Sequence, residues 1–217
     1  MRQVVPNVYM MERLSVGNVY LVVSSKGLLL VDSGLAGEAD QIVAQMQEKG
    51  YALSDLRAIV LTHAHGDHAG NTAELVVRSG AHVKERSYVE QNKSTTSTTP
   101  ARPYKVDRTL HDGDVIEALG GRLGVIHSPG HTPGSICLYQ PERRILFCGD
   151  VLINKGSIMG KKEVKFCIPL SNVDETQEWE SVRKLSMLSV EVLCFGHGEP
   201  VIEGAGEHIS ALLEDRP

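Results

Sequence analysis

The chain has 217 residues, of which 41% are hydrophobic and 23% charged, and its formal net charge is −5. This composition is typical of globular proteins and excludes a disordered or fibrous chain. The acidic balance, without a basic stripe along any predicted helix, argues against binding to a nucleic acid backbone. No apolar run reaches the length of a membrane span, and the first residues lack the apolar core of an export signal. The sequence therefore predicts a cytoplasmic protein with neither a membrane nor a nucleic acid as partner.

Strands and helices alternate in the first third of the chain. The segment VYLVVSSKGLLLVDSG, residues 19–34, predicts two strands joined by a Ser-Ser-Lys-Gly turn. Residues 38–49 carry apolar side chains at helical spacing, which predicts a helix ending at Gly50. A short buried strand is predicted at 56–61 and a second helix at 71–79.

The rest of the chain repeats this order of strands followed by helix. Two polar segments, residues 90–105 and 153–172, are predicted to be long loops. Each of them is either a lid over a site or a mobile segment. Between and after them, short strands are predicted within 115–130, 135–140, 144–150 and 190–195, and helices at 174–188 and 207–213. No linker divides the sequence, so residues 1–217 are expected to form one mixed α/β domain with a weak internal duplication.

The four cysteines, Cys137, Cys148, Cys167 and Cys194, are scattered without a Cys-x-x-Cys spacing. This pattern indicates neither a disulfide framework nor a zinc knuckle. Three of them fall in strand-like runs, where cysteine behaves as a small buried apolar residue. Cys167 falls in the second predicted loop.

A histidine-rich motif follows the strand predicted at 56–61. It reads THAHGDHAGN over residues 62–71 and contains His63, His65, Asp67 and His68. His63 and His65 alternate with a small residue, so at a strand end their side chains can project the same way. Gly66 lets the chain turn and bring Asp67 and His68 back. One short segment can therefore supply ligands to two adjacent metal sites.

Three further candidate ligands follow other apolar, strand-like runs. His131 lies in SPGHTPGS, Asp150 closes ILFCGD, and His197 lies in CFGHGEP, each flanked by glycine or proline. Strand ends of this kind deliver side chains to the same edge of a sheet. Five histidines and two carboxylates suit Zn²⁺ or another borderline divalent metal.

These motifs together resemble those of the metallo-β-lactamase-fold hydrolases. The resemblance rests on VDSG at 31–34, THAHGDHAGN at 62–71, SPGHTPGS at 128–135, FCGD at 147–150 and GHG at 196–198, in the order found in that family. It extends over residues 14–203 and implies an αββα four-layer sandwich with the site at one edge.

The resemblance also implies a role for each candidate ligand. His63, His65 and His131 would hold a first metal ion, Asp67, His68 and His197 a second, and Asp150 would bridge the two. Zn²⁺ is the favoured metal, with Mn²⁺ and Fe²⁺ as alternatives. A metal-bridging hydroxide would be the nucleophile, with Asp67 and Asp150 as catalytic residues. Asp32, from VDSG, resembles the family's outer aspartate, which orients a ligating histidine.

The substrate class is open within this resemblance. Asp150 is similar to the bridging residue of glyoxalase II-like thioesterases and of lactonases, which favours a small carbonyl substrate such as a thioester or a lactone. The helical C-terminal domain of typical glyoxalase II enzymes is not expected within these 217 residues. A phosphodiesterase, a β-lactamase-type hydrolase and an iron-dependent dioxygenase or redox relative remain alternatives. The sequence indicates neither the substrate nor the oligomeric state.

Overall fold

The computed structural model describes residues 1–79, 82–85, 103–118, 120–156, 162–167 and 173–214. The chain forms two compact units, the first from Met1–Leu110 and Glu117–Gly121 and the second from His111–Ile116 and Arg122–Pro217. Strands and helices are mixed in both, which confirms the mixed α/β class. The expectation that residues 1–217 form one domain stays a prediction.

The first unit is built on a sheet of seven described strands that lie side by side in chain order. The first four strands pair antiparallel, and each later strand pairs parallel to the one before it. The strands are β1 (Arg2–Val5), β2 (Val8–Met10), β3 (Tyr20–Ser24), β4 (Gly27–Val31), β5 (Leu56–Val60), β6 (His82–Glu85) and β7 (Arg108–Thr109), and the helices are α1 (Ala39–Glu48), α2 (Gly66–Ala69) and α3 (Thr72–Ser79).

The core of the first unit follows from the predicted hairpin and helix. β3 and β4 pair from Tyr20 opposite Val31 to Ser24 opposite Gly27, as the turn sequence predicts. Ile42 and Met46 of α1 are completely buried and belong to one apolar cluster with Leu30 of β4. Because β4 and β5 run parallel, their carboxyl ends lie at the same edge of the sheet, where Asp32 and the histidine motif follow them.

A second sheet has five described strands in the order β14, β11, β10, β9, β8, and a separate sheet has two strands. Here too a parallel pair, β11 with β14, brings two carboxyl ends to one edge. The elements are β8 (Val115–Ala118), β9 (Gly121–His127), β10 (Ile136–Gln140), β11 (Ile145–Gly149), β12 (Leu152–Gly156), β13 (Lys162–Phe166), β14 (Val192–Phe195), α4 (Glu175–Ser186) and α5 (Ala205–Glu214).

The prediction of a continuous loop at 153–172 is wrong. β12 and β13 pair antiparallel from Leu152 opposite Phe166 to Gly156 opposite Lys162. Lysines and glycines in this stretch obscure the strand pattern, whereas Ile153 and Val164 are buried. Residues 157–161 and 168–172 of this predicted loop, and 90–102 of the first, lie outside the described residues.

Four further strands were not predicted from the sequence. β1 and β2 are two short N-terminal strands, and β6 and β7, which are four and two residues long, extend the other side of the sheet. Segments this short carry too few alternating residues to reveal a period. The final helix also begins two residues earlier than predicted, at Ala205.

The described helices include none that is both long and apolar enough to cross a lipid bilayer. The cytoplasmic location expected from the sequence stays a prediction.

Asp174 caps the N-terminus of α4, as the helix predicted at 174–188 requires. Its carboxylate accepts a hydrogen bond from the backbone N–H of Gln177 at 2.9 Å, which satisfies an otherwise unpaired donor of the first turn. That bond holds the pKa of Asp174 below its ordinary value. The ionised cap therefore contributes stability above the unfolded-state pKa and loses it as the pH falls through the folded-state pKa.

We expect Asp174→Ala to lower the midpoint of thermal unfolding by a few degrees at neutral pH. Asp174→Asn, which can still accept the bond but does not ionise, should differ from the wild type only above the acid range. Thermal unfolding measured between pH 2.5 and 7 checks both points. A wild-type advantage over the asparagine variant that stays constant through this range would contradict the assignment.

Candidate metal centre

Three histidines of the predicted motif are buried together in the first unit. β5 ends at Val60, and the chain then passes through His63 and His65 before turning into the single helical turn α2, which contains Asp67 and His68. The three histidines are at most 8% exposed. The ring of His63 lies 4.6 Å from that of His65 and 4.1 Å from that of His68, measured between ring centroids. Burial of three polar rings in contact points to a ligand that binds them.

Asp32 organises this cluster from the end of β4. Its backbone adopts a left-handed conformation, φ 62°, and its carboxylate is buried. Oδ1 accepts the backbone N–H of Thr62 at 2.8 Å, and Oδ2 lies 2.9 Å from His68 Nδ1. The next residue, Ser33, donates from its backbone N–H and its hydroxyl to the carbonyl of His68. The VDSG turn therefore fixes both the ring and the backbone of His68.

The ligand atoms of the first unit lie in two pairs. His63 Nε2 and His65 Nδ1 are 3.1 Å apart, and His68 Nε2 and Asp67 Oδ2 are 3.7 Å apart. Asp67 is the most exposed of the four, with 24% of its side chain accessible.

The second unit brings together the other three predicted ligands. Asp150 follows β11 directly, and its Oδ2 lies 3.5 Å from His131 Nε2 and 3.2 Å from His197 Nε2. His131 and Asp150 are buried, whereas 22% of the His197 side chain is exposed. One carboxylate oxygen thus lies close to two histidine nitrogens.

Close backbone contacts hold His131 in place. The carbonyl of Gly130 accepts hydrogen bonds from the backbone N–H groups of Val173 and Asp174, at the N-terminus of α4. Gly130 has φ 139°, and a methyl group there would overlap the backbone of Glu178. The SPGHTPGS turn and α4 therefore fit together only with glycine at this position.

His197 is held by β12. The backbone N–H of Asn154 donates to the carbonyl of His197 at 3.0 Å, and its side-chain amide donates to the carbonyl of Glu199 at 2.7 Å. A methyl group on Gly198 would overlap the carbonyl of Asn154. Because β12 begins two residues after Asp150, one strand positions both Asp150 and His197.

The distances within each unit fit metal coordination. Two ligands of a tetrahedral Zn²⁺, each about 2.0–2.1 Å from the ion, lie about 3.3 Å apart. The four ligand pairs described above are separated by 3.1, 3.7, 3.5 and 3.2 Å. The donor set of imidazoles and carboxylates is also the one that Zn²⁺ and similar divalent metals prefer. The candidate ligands therefore fit the coordination of a divalent metal.

The cysteines are not part of the donor set. Burial raises the pKa of Cys137 to about 12 and raises the pKa values of Cys148 and Cys194. These thiols stay protonated near neutral pH, and the thiolate is the form that binds metals and reacts with disulfides. Cys167 is also buried.

We expect Cys137, Cys148 and Cys194 to react with a thiol-selective disulfide reagent at pH 8 only after unfolding. Counting the released chromophore with and without guanidinium measures this protection. Rapid reaction of more than one thiol in the folded protein would show that the sheet opens more readily than its packing indicates.

Two other histidines make contacts outside the set of candidate ligands. His127 Nε2 lies 2.9 Å from the carbonyl oxygen of Pro133, and its backbone N–H donates to Asp112. The side chain of His111 is 72% exposed and lies 3.7 Å from Asp114.

Two amide side chains that orient these segments were not predicted from the sequence. Asn71, the last residue of THAHGDHAGN, accepts from the backbone N–H groups of Gly37 and Glu38 and donates to the carbonyls of Ser33 and Leu35. Asn154 is the second. Their motifs contain no chemical signal that separates such a residue from a surface amide, because the partners are all backbone groups distant in sequence.

Comparison with known proteins agrees with the motifs. The family model of the metallo-β-lactamase superfamily matches residues 13–197, so the chain belongs to this superfamily. The subclass B3 metallo-β-lactamase BJP-1 of Bradyrhizobium japonicum has a similar fold, with a TM-score of 0.74 and 22% identity over 98% of this chain and 90% of that protein. The predicted metallo-β-lactamase fold is therefore confirmed.

Two curated relatives illustrate the similarity in sequence. A hydroxyacylglutathione hydrolase of Cereibacter sphaeroides is 32% identical over 161 residues, which cover 74% of this chain and 54% of the relative. A probable metallo-hydrolase of Bacillus subtilis, YflN, is 28% identical over 87% of this chain and 83% of the relative. The chain thus spans about half the length of the hydroxyacylglutathione hydrolase that it matches.

Proposed function

We propose that the protein is a binuclear metal-dependent hydrolase. The observation that carries this proposal is the position of Asp150 Oδ2, which lies within 3.5 Å of both His131 Nε2 and His197 Nε2. A single carboxylate oxygen shared by two histidines suits two ions better than one. The two pairs of candidate ligands in the histidine motif independently suggest two ions.

In this proposal each ion has three ligands of its own, and the two ions share a further one. His63, His65 and His131 hold the first ion, Asp67, His68 and His197 hold the second, and Asp150 bridges them. Zn²⁺ is the metal favoured by the donor set, with Mn²⁺ and Fe²⁺ as alternatives.

Two such ions would supply a water of lowered pKa and Lewis acids for the oxygen of a carbonyl group. Side chains of the protein would bind and transfer the protons of the hydrolysis. Asp67 is the natural proton acceptor because its partly exposed carboxylate can exchange a proton with solvent. Asp32 and Ser33 hold His68 beside it, so that the Asp67 carboxylate and its neighbour keep a fixed geometry.

The substrate that we propose is a small carbonyl compound, with a thioester preferred and a lactone second. The similarity to a hydroxyacylglutathione hydrolase supports the thioester. A bridging aspartate at position 150 supports both substrates, because Asp150 is similar to the bridging residue of glyoxalase II-like thioesterases and of lactonases.

Metal analysis combined with a substrate panel tests the proposal. Purified protein should contain about two divalent ions per chain and should hydrolyse an acyl-glutathione thioester or a lactone faster than a phosphodiester or a β-lactam. Each assay is run with Zn²⁺, Mn²⁺ and Fe²⁺. Two bound ions without hydrolysis of any panel member, or one tightly bound iron, would overturn the hydrolase proposal. Preference for the phosphodiester or the β-lactam would overturn the substrate class alone.

A further inference from the structure

Thr62, the first residue of the histidine motif, lies between Asp32 and His63. Its hydroxyl oxygen is 2.9 Å from Asp32 Oδ2, 3.1 Å from Asp32 Oδ1 and 3.1 Å from His63 Nδ1. Thr62 is 2% exposed and Asp32 is 1% exposed. Three buried polar groups are therefore in contact, and each hydrogen must have a defined place.

Counting donors and acceptors assigns these hydrogens. An ionised carboxylate only accepts, so the single hydroxyl hydrogen of Thr62 is donated to Asp32. The hydroxyl oxygen can then only accept from His63, which places a hydrogen on His63 Nδ1. In neutral imidazole the other nitrogen, Nε2, then carries no hydrogen and has a lone pair that can accept a hydrogen bond or bind a metal. His63 Nε2 is the atom that lies 3.1 Å from His65 Nδ1.

We propose that Thr62 is a positioning residue that relays the carboxylate of Asp32 to His63 and fixes its Nδ1–H tautomer. Asp32 acts on His68 directly, because the hydrogen on His68 Nδ1 is donated to Oδ2. One carboxylate thereby fixes the tautomer of one histidine in each ligand pair of the first unit. It acts on His63 through the Thr62 hydroxyl and on His68 by a direct hydrogen bond.

Two hydrogen-bonded connections lead from the Asp32 carboxylate, one through the Thr62 hydroxyl to His63 and one directly to His68. Loss of the Thr62 hydroxyl breaks the connection to His63 and leaves the bond from His68 to Asp32 in place. Loss of the Asp32 carboxylate breaks both connections. The backbone N–H of Thr62 also donates to Asp32, and replacement of the side chain does not remove that bond.

The test begins with the metal-free protein, so that it does not depend on any activity. Thr62→Val has nearly the same shape as threonine without the hydroxyl, and Thr62→Ser keeps the hydroxyl. Nitrogen-15 NMR of the imidazole rings, recorded above the ordinary histidine pKa, shows which nitrogen carries the hydrogen. The wild type and Thr62→Ser should show His63 as the Nδ1–H tautomer. Thr62→Val should show a mixture of tautomers at His63 and no change at His68.

Two NMR results would overturn the relay: a wild-type His63 with its hydrogen on Nε2, or a Thr62→Val variant that keeps the pure Nδ1–H tautomer. Amide spectra that retain wild-type dispersion show that each variant is folded. Thr176→Val, at an exposed threonine of α4, is the control for adding a valine and should leave every histidine unchanged.

The metal-binding part of the inference rests on the proposed function. Competition with a chromophoric chelator should show that Thr62→Val binds the ion held by His63 about 10–100-fold more weakly, which is the usual effect of losing such an outer contact. Thr62→Ser should bind it as the wild type does. An unchanged affinity in Thr62→Val would overturn the importance of the relay for metal binding. Fewer than two ions in the wild type, with the NMR result as expected, would overturn the binuclear proposal and leave the relay supported.

Discussion

Replacement of Asp150 by alanine is expected to reduce kcat/KM for the best panel substrate by roughly 10³-fold or more, because it removes the ligand proposed to be shared by two ions. Metal content should fall from about two ions per chain to one or fewer. The fold should persist, since Asp150 lies beyond the end of β11 and the strand pairing of the second unit does not involve its side chain. Elemental analysis, steady-state kinetics and circular dichroism measure the three effects.

Glu142→Gln is the matched control for this variant. Glu142 is an exposed carboxylate in the turn between β10 and β11 of the same unit, so its loss should change neither metal content nor kcat/KM. Wild-type activity in Asp150→Ala would refute the bridging assignment. Loss of activity with both ions retained would show instead that Asp150 acts on the substrate.

Gly198→Ala is expected to lower the free energy of unfolding by about 2–4 kcal/mol and to weaken metal binding at His197. The added methyl group would overlap the carbonyl of Asn154, and backbone atoms cannot turn aside as a side chain can. The left-handed backbone at Gly198, φ 95°, adds a strain that glycine does not have. Urea unfolding and chelator competition measure the two effects.

Gly113→Ala separates the two causes. Gly113 belongs to the same unit and has φ 84°, but a methyl group there would meet no atom within 4 Å among the described residues. This variant should therefore show the backbone strain alone, about 1 kcal/mol, with metal binding unchanged. Equal destabilisation in both variants would mean that the contact of Gly198 with Asn154 is looser than the structure indicates.

The sequence predicted the elements that have a clear hydrophobic period. The hairpin of β3 and β4 lies within the predicted segment 19–34, and helix α1 and strand β5 lie within one residue of their predicted bounds. The hairpin of β12 and β13 was missed because its pairing depends on two strands that recognise each other rather than on a pattern within either one. Propensity describes each strand alone, whereas pairing depends on the tertiary context.

The candidate ligands were predictable because metal chemistry restricts residue type and because ligands follow strand ends. Of the contacts that orient those ligands, the one made by Asp32 was expected from the resemblance, and the others were not. Thr62 and Asn154 act through one hydroxyl and one amide, and their partners, Asp32 and the carbonyl groups of His197 and Glu199, are about 30 to 45 residues away in the chain. Only the folded chain shows which of many threonines and asparagines make such contacts.

The left-handed backbone of Asp32 limits which amino acids can occupy that position. Among the standard residues, glycine, asparagine and aspartate adopt this conformation at low cost. Glycine has no side-chain acceptor. Asparagine has one side-chain oxygen, whereas the donors at this position contact both oxygens of Asp32. In a library containing all twenty residues at position 32, the backbone would favour three residue types and the hydrogen bonds would favour aspartate among them, so selection for metal binding should return mainly aspartate.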